Sequence, residues 1–143
     1  MRLPLLTVDL YHRGRVCSID VVRTMKSMLV IDGSESIANL WAQIFERRGW
    51  DVATCGDRDT AIERLARNEP YDIVLLSYRG PGATGVELVR LIRSFEHRRM
   101  TGIVLLTASG DITEEALAAG VDEVLLKPIN PNTLVWVVDK LVT

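Results

Sequence analysis

The chain has 143 residues, with 17 Lys and Arg against 19 Asp and Glu, a formal charge of −2, and 48% hydrophobic and 25% charged residues. That length fits one domain of ordinary size and is short for two. The composition excludes wholesale disorder and collagen-like structure, and apolar runs of about five residues fall far below the roughly 18–20 of a membrane span. The near-neutral charge lacks the electrostatic footprint of a nucleic-acid binder, so the expected partners are proteins, with neither nucleic acid nor membrane. Cys17 and Cys55 are too few for a disulfide framework and lack metal-ligand spacing. They favour a reducing, cytoplasmic setting.

Residues 1–24 read as an extension. LTVDLY and VCSIDVV flank HRGR, which suits a short hairpin with Gly14 at its bend, or an edge strand; a start at Met25 with a functionless extension is the alternative. From Met25 the pattern is regular. MLVID (28–32) is a strand, followed by a helical stripe of Ile37, Leu40, Trp41, Ile44 and Phe45. Residues 51–54 form a second strand; Ala61, Ile62, Leu65 and Ala66 mark a second helix. DIVLL (72–76) is a central strand, apolar on both faces. Leu88, Leu91, Ile92 and Phe95 give the third helix, and IVLL (103–106) the fourth strand. A short helix over 112–119 stops at Gly120, EVLL (123–126) is the fifth strand, and Leu134, Val137, Val138 and Leu141 stripe a closing helix. This predicts an α/β domain over 25–143: a five-stranded parallel sheet, flavodoxin-like, with helices on both faces.

In such sheets ligands bind outside the carboxyl ends of the strands. There stand Asp32-Gly33, Ser77-Tyr78-Arg79, Thr107-Ala108 and Lys127-Pro128, after the first, third, fourth and fifth strands. The order and spacing resemble the receiver domain of bacterial two-component response regulators. The resemblance rests on LVID (29–32), PYDIVLLSYRGPGATGVELVRLIR (70–93), IVLLTAS (103–109) and AAGVDEVLLKPINP (118–131). It implies a crevice built for phosphoryl transfer from a histidine kinase to an aspartate, with Mg²⁺ held by acids. Asp32 matches the first acid, Thr107 the hydroxyl and Lys127 the lysine of that crevice, and Lys127-Pro128 its cis peptide.

Three positions depart from the family pattern. Ser77 stands at the phosphoacceptor position, Gly33 at the second acid, and Val124 where an aromatic switch residue is expected, with Thr107 as the other switch-equivalent position. The stretch from Thr107 to Gly120 is also a residue or two short. Three carboxylates and an ammonium become one of each, a pocket near zero charge and poor in the anionic oxygens a divalent cation requires. An Asp32–Lys127 contact and no cofactor, with Mg²⁺ weak or absent, are expected. Asp72 lies at the wrong strand end, which leaves Glu35 as the stand-in acid, or as a carboxylate favouring a helix start. Ser77 has no histidine base nearby, so an anion such as phosphate or sulfate, held by Ser77, Thr107 and Lys127, is favoured over a covalent adduct.

Gly80 to Gly85 satisfies GxGxxG, but no acid follows at the end of the next strand to hold a ribose. Val135, Trp136 and Val142 fall off the core stripe of the closing helix and make a candidate interface for a homodimer or partner, unless residues 1–24 cover it. Arg90, Arg93, Arg98 and Arg99 read as a solvated basic face. The expectation is a stand-alone, non-enzymatic receiver-like domain that works by contact with a histidine kinase or another regulator, independently of phosphorylation. The alternatives are a phosphorylation-competent regulator using Ser77 or a neighbouring group, and a nucleotide- or flavin-binding α/β enzyme.

Overall fold

A computed structural model describes the backbone of residues 5–12, 15–22, 25–78 and 84–143, and the side chains of 25–77 and 85–143. Two N-terminal strands, β1 (Leu5–His12) and β2 (Arg15–Val22), pair antiparallel as a separate two-stranded sheet. The bend expected at Gly14 lies outside the described residues.

The rest alternates strand and helix. β3 (Ser27–Ile31), β4 (Asp51–Cys55), β5 (Ile73–Tyr78), β6 (Gly102–Thr107) and β7 (Glu123–Leu126) form a parallel sheet in the order β4-β3-β5-β6-β7. The helices are α1 (Glu35–Glu46), α2 (Arg58–Ala66), α3 (Thr84–Ser94), α4 (Thr113–Ala119) and α5 (Pro131–Val142). The period-2 alternation of β3, β5 and β6 divides the core between the two faces. Leu29, Val74, Leu76, Ile103 and Leu105 pack with α2, α3 and α4, whereas Met28, Val30, Ile73, Leu75, Val104 and Leu106 pack with α1 and α5. Each such buried aliphatic side chain contributes about 1.5–3 kcal/mol relative to exposure.

The helices start and stop where local chemistry dictates. Ser34 caps α1 by accepting from Ile37 N, Asp57 caps α2 by accepting from Thr60 N, and Asn130 caps α5 ahead of Pro131 at its first position. Gly120 ends α4 at φ +116°, a conformation that favours glycine. α4 has seven residues and is preceded by a 3₁₀ turn, Gly110–Ile112. This is the short segment the sequence spacing indicates.

Three sequence expectations need correction. The buried face of α1 is Ala38, Trp41, Ala42 and Phe45, while Ile37 and Leu40 are exposed. Two alanines let the helix sit close to the sheet and turn its larger aliphatics outward. Val142 is buried against the sheet with Leu134, Val137 and Val138, so it is no part of an exposed interface. Placed one turn beyond Val138, at i+4, it continues the core stripe.

The basic run is not a solvated face. Arg98 is 2% exposed. It donates from Nε to Leu65 O at 3.0 Å and from Nη2 to Arg67 O at 2.8 Å, and its guanidinium lies 5.1 Å from the Tyr71 ring centre. It therefore closes the C-terminal end of α2, where carbonyls lack helical partners; burial pulls its pKa down. Arg93 donates to Gly120 O, Arg98 O and Thr101 O and pairs with Asp122, tying α3 to the approaches of β6 and β7. Arg90 and Arg99 are exposed.

Candidate functional site

The sheet order places the topological switch between β3 and β5, and the crevice opens at the carboxyl ends of those strands. A cavity of about 200 Å³ is lined there by Ile31, Asp32, Gly33, Gly56, Asp57, Arg58, Leu76, Ser77, Gly85 and Leu88. Asp32 follows β3 directly and is 1% exposed. Its backbone N–H donates to Cys55 O at 3.1 Å, and its Oδ1 accepts from Ser34 N at 2.8 Å. The carboxylate thereby anchors the turn into α1 as well as facing the crevice.

Lys127 arrives from β7 and donates from Nζ to Ser77 Oγ at 2.7 Å. The Lys127-Pro128 peptide is cis, and Lys127 N donates to Thr107 O at 2.7 Å. Strands two places apart in the chain, β5 and β7, thus meet across the crevice through one ammonium–hydroxyl contact. Thr107 is fully buried. Its hydroxyl is engaged within its own loop, accepting from Ser109 N at 3.1 Å and facing Ser109 O at 3.2 Å. Val124 is half-buried and packs against the core face that carries α2, α3 and α4.

Sequence reading missed Asp57 and Arg58, which line the cavity from the turn after β4. β4 is the strand beside β3, so its carboxyl end belongs to the same crevice; the order of strands in space, invisible in the chain, brings Asp57 there. Glu35, the one stand-in acid the sequence offered, is an exposed first-turn residue of α1 and does not line the cavity, in keeping with its alternative reading as a helix-start carboxylate. Asp57 accepts from Thr60 N at 2.8 Å and Thr60 Oγ1 at 2.9 Å, and these bonds hold its carboxyl below the usual range. Arg58 pairs with Glu87 at 3.7 Å. Asp72 lies at the opposite edge, where its Oδ2 accepts from Ser27 N at 2.9 Å.

Gly33 carries no side chain, and a Cβ built there would find its nearest heavy atom, Gly56 O, at 4.0 Å. Space for a second acid exists, but the acid does not. Among the described residues no three His, Cys, Asp or Glu side chains cluster as a metal site would. The donors at the matching positions are one carboxylate, one absent side chain and one hydroxyl that already accepts from an ammonium, a poor set for a hard divalent cation. Of the Gly80–Gly85 stretch, residues 80–83 lie outside the described residues. Among the described residues no helix is long and apolar enough to cross a membrane.

Comparison with known proteins agrees with this architecture. The family model described as the response regulator receiver domain matches residues 28–139. The phosphate regulon transcriptional regulatory protein PhoB of Klebsiella pneumoniae is 29% identical over 113 residues, 77% of this chain and 48% of that protein. The alkaline phosphatase synthesis transcriptional regulatory protein PhoP of Bacillus subtilis is 32% identical over 109 residues, 75% of this chain and 44% of that protein. This chain spans about half the length of these curated relatives. Among solved structures, the chemotaxis protein CheY4 of Vibrio cholerae superposes with a TM-score of 0.74 at 28% identity, covering 82% of this chain and 99% of that one. A response regulator of Burkholderia pseudomallei, solved with a phosphorylated aspartic acid and a calcium ion, gives 0.68 at 26% identity, over 77% of this chain and 64% of that one. The chain belongs to the response regulator receiver domain family of two-component signalling.

Proposed function

We propose that this receiver domain signals through protein contact without passing through an aspartyl phosphate, its partner being a histidine kinase or another regulator. One observation carries the reading: where the family's acceptor carboxylate stands, Ser77 offers a hydroxyl held at 2.7 Å by the Lys127 ammonium. An ionised carboxylate is a nucleophile at neutral pH, whereas a hydroxyl must first lose its proton to a base. The neighbouring ammonium is a donor to that hydroxyl and not a base for it.

The same substitutions argue against tight Mg²⁺ binding, because the pocket keeps Asp32 and lacks the second acid and the acceptor carboxylate. The phosphorylated aspartate and calcium ion seen in the Burkholderia regulator belong to that protein's site. An oxyanion such as phosphate fits this crevice better, with Lys127 and Ser77 as donors; Thr107 joins them once its hydroxyl leaves Ser109.

Incubation with acetyl phosphate and Mg²⁺, followed by intact-mass measurement, tests the proposal. The expected spectrum is unchanged. A gain of one phosphate on the intact chain, mapped to Ser77 or to a neighbouring acid such as Asp57, would overturn it.

A further inference from the structure

The carboxyl edge of the sheet sets a buried acid beside a hydroxyl and an ammonium. Ile31 and Leu76 are register partners on β3 and β5, so the residues that follow them, Asp32 and Ser77, stand on neighbouring strands about 4.8 Å apart. Both line the cavity of about 200 Å³. Asp32 is 1% exposed, and its Oδ1 accepts from Ser34 N at 2.8 Å. Lys127 donates from Nζ to Ser77 Oγ at 2.7 Å. The other charged lining residues have partners of their own: Asp57 accepts twice from Thr60, and Arg58 pairs with Glu87 at 3.7 Å.

Each group has a fixed hydrogen-bonding sense. An ammonium only donates, and a hydroxyl that accepts from it still has its own proton to give. A carboxylate only accepts, and its two oxygens offer about four lone-pair sites, so Asp32 has capacity beyond Ser34 N. An oxyanion between them meets donors on one side and an acceptor on the other. A fully deprotonated anion would set a negative oxygen against the Asp32 carboxylate, where burial leaves little screening. An anion that keeps one O–H makes a charge-assisted hydrogen bond of the same contact.

We propose, building on the oxyanion reading of this crevice, that it selects hydrogen phosphate: Lys127 and Ser77 donate to its oxygens while Asp32 accepts from its hydroxyl. Asp32 is then the specificity-determining residue. Sulfate is rejected because it has no proton to give. Phosphate monoesters are rejected above their second pKa of about 6 for the same reason. The ligand is therefore free phosphate and not a phosphorylated side chain of a partner.

Isothermal titration of the full chain at about pH 8 and constant ionic strength compares hydrogen phosphate, sulfate and methyl phosphate. All are tetrahedral dianions there, and only the first carries a proton. Hydrogen phosphate should bind at least about tenfold more tightly than either of the others, the contribution of one hydrogen bond to a charged group. Asp32→Asn keeps a carbonyl oxygen for Ser34 N and brings an amide N–H that can face the anion. It should bind sulfate at least about tenfold more tightly than the parent chain does and lose the preference for hydrogen phosphate. Circular dichroism melts check that this variant folds, and the comparison of anions in the parent chain decides the matter without it. A parent chain that binds sulfate or methyl phosphate as tightly as hydrogen phosphate would overturn selection by Asp32 and leave the oxyanion reading standing. So would a preference that survives in the folded Asp32→Asn variant. A parent chain that binds none of the anions would overturn the oxyanion reading as well.

Discussion

Placing acids at Gly33 and Ser77 one at a time measures what each contributes to binding a divalent cation. Gly33→Asp meets no steric objection: the nearest heavy atom to the new Cβ is 4.0 Å away, and the backbone there is not in the left-handed region. Ser77→Asp puts a second carboxylate beside the Lys127 ammonium, which already sits at hydrogen-bond distance from that position. A unit charge about 4 Å from a divalent ion at an effective dielectric of 20 gains on the order of 8 kcal/mol before desolvation. Desolvation of both partners removes most of that. A net of about 1.5–3 kcal/mol per added carboxylate remains, a factor of roughly 10–100 in affinity. In Ser77→Asp alone, part of this is spent on the ion pair with Lys127, so Mg²⁺ affinity should rise little. The Gly33→Asp, Ser77→Asp double variant should bind at least about tenfold more tightly than the single one. Isothermal titration with MgCl₂ reads both. Equal affinities, or a parent chain that already binds as tightly as the double variant, would refute the reasoning.

Further outcomes follow from the packing. Arg98→Met should destabilise the domain by about 2 kcal/mol, read by urea unfolding, because the carbonyls of Leu65 and Arg67 lose buried donors; an unchanged midpoint would show that water replaces them. Burial pushes the Cys55 thiol from 9.0 up to about 11, so in a Cys17→Ser background thiol labelling at pH 8 should be about a hundredfold slower in the folded chain than in the unfolded one. The native state keeps a proton that the unfolded chain releases, so this contribution to stability is intact below about pH 9 and is lost as pH rises towards 11. Unfolding midpoints of the parent and of Cys55→Ala across that range check the sign: the parent should lose more stability than the variant.

Much of the architecture was legible in the chain because strand and helix periodicities are local. The five strands and the stop at Gly120 each rest on a few neighbouring residues. The family assignment followed for a similar reason, since the chemistry-bearing residues sit immediately after strands at fixed chain positions. Helix rotation was not legible. Ile37 and Leu40 satisfy the same spacing as Trp41 and Phe45, yet Ala38 and Ala42 face the sheet, since the approach distance between layers decides which stripe is buried. Val142 and Arg98 were misread because burial depends on which element lies opposite.

The site divides along the same line. Sequence alone determined that Asp32, Ser77, Thr107 and Lys127 stand at strand ends and that Gly33 brings no side chain, because these are facts of residue identity. Tertiary structure decided their partners: Lys127 reaches Ser77, and the Thr107 hydroxyl turns to Ser109. Placing β4 beside β3 brings Asp57 to the cavity. The physical reason is range. Periodicity and capping act over a few residues of chain, whereas a crevice is assembled from strand ends up to 95 residues apart, whose order in space only the packed sheet sets.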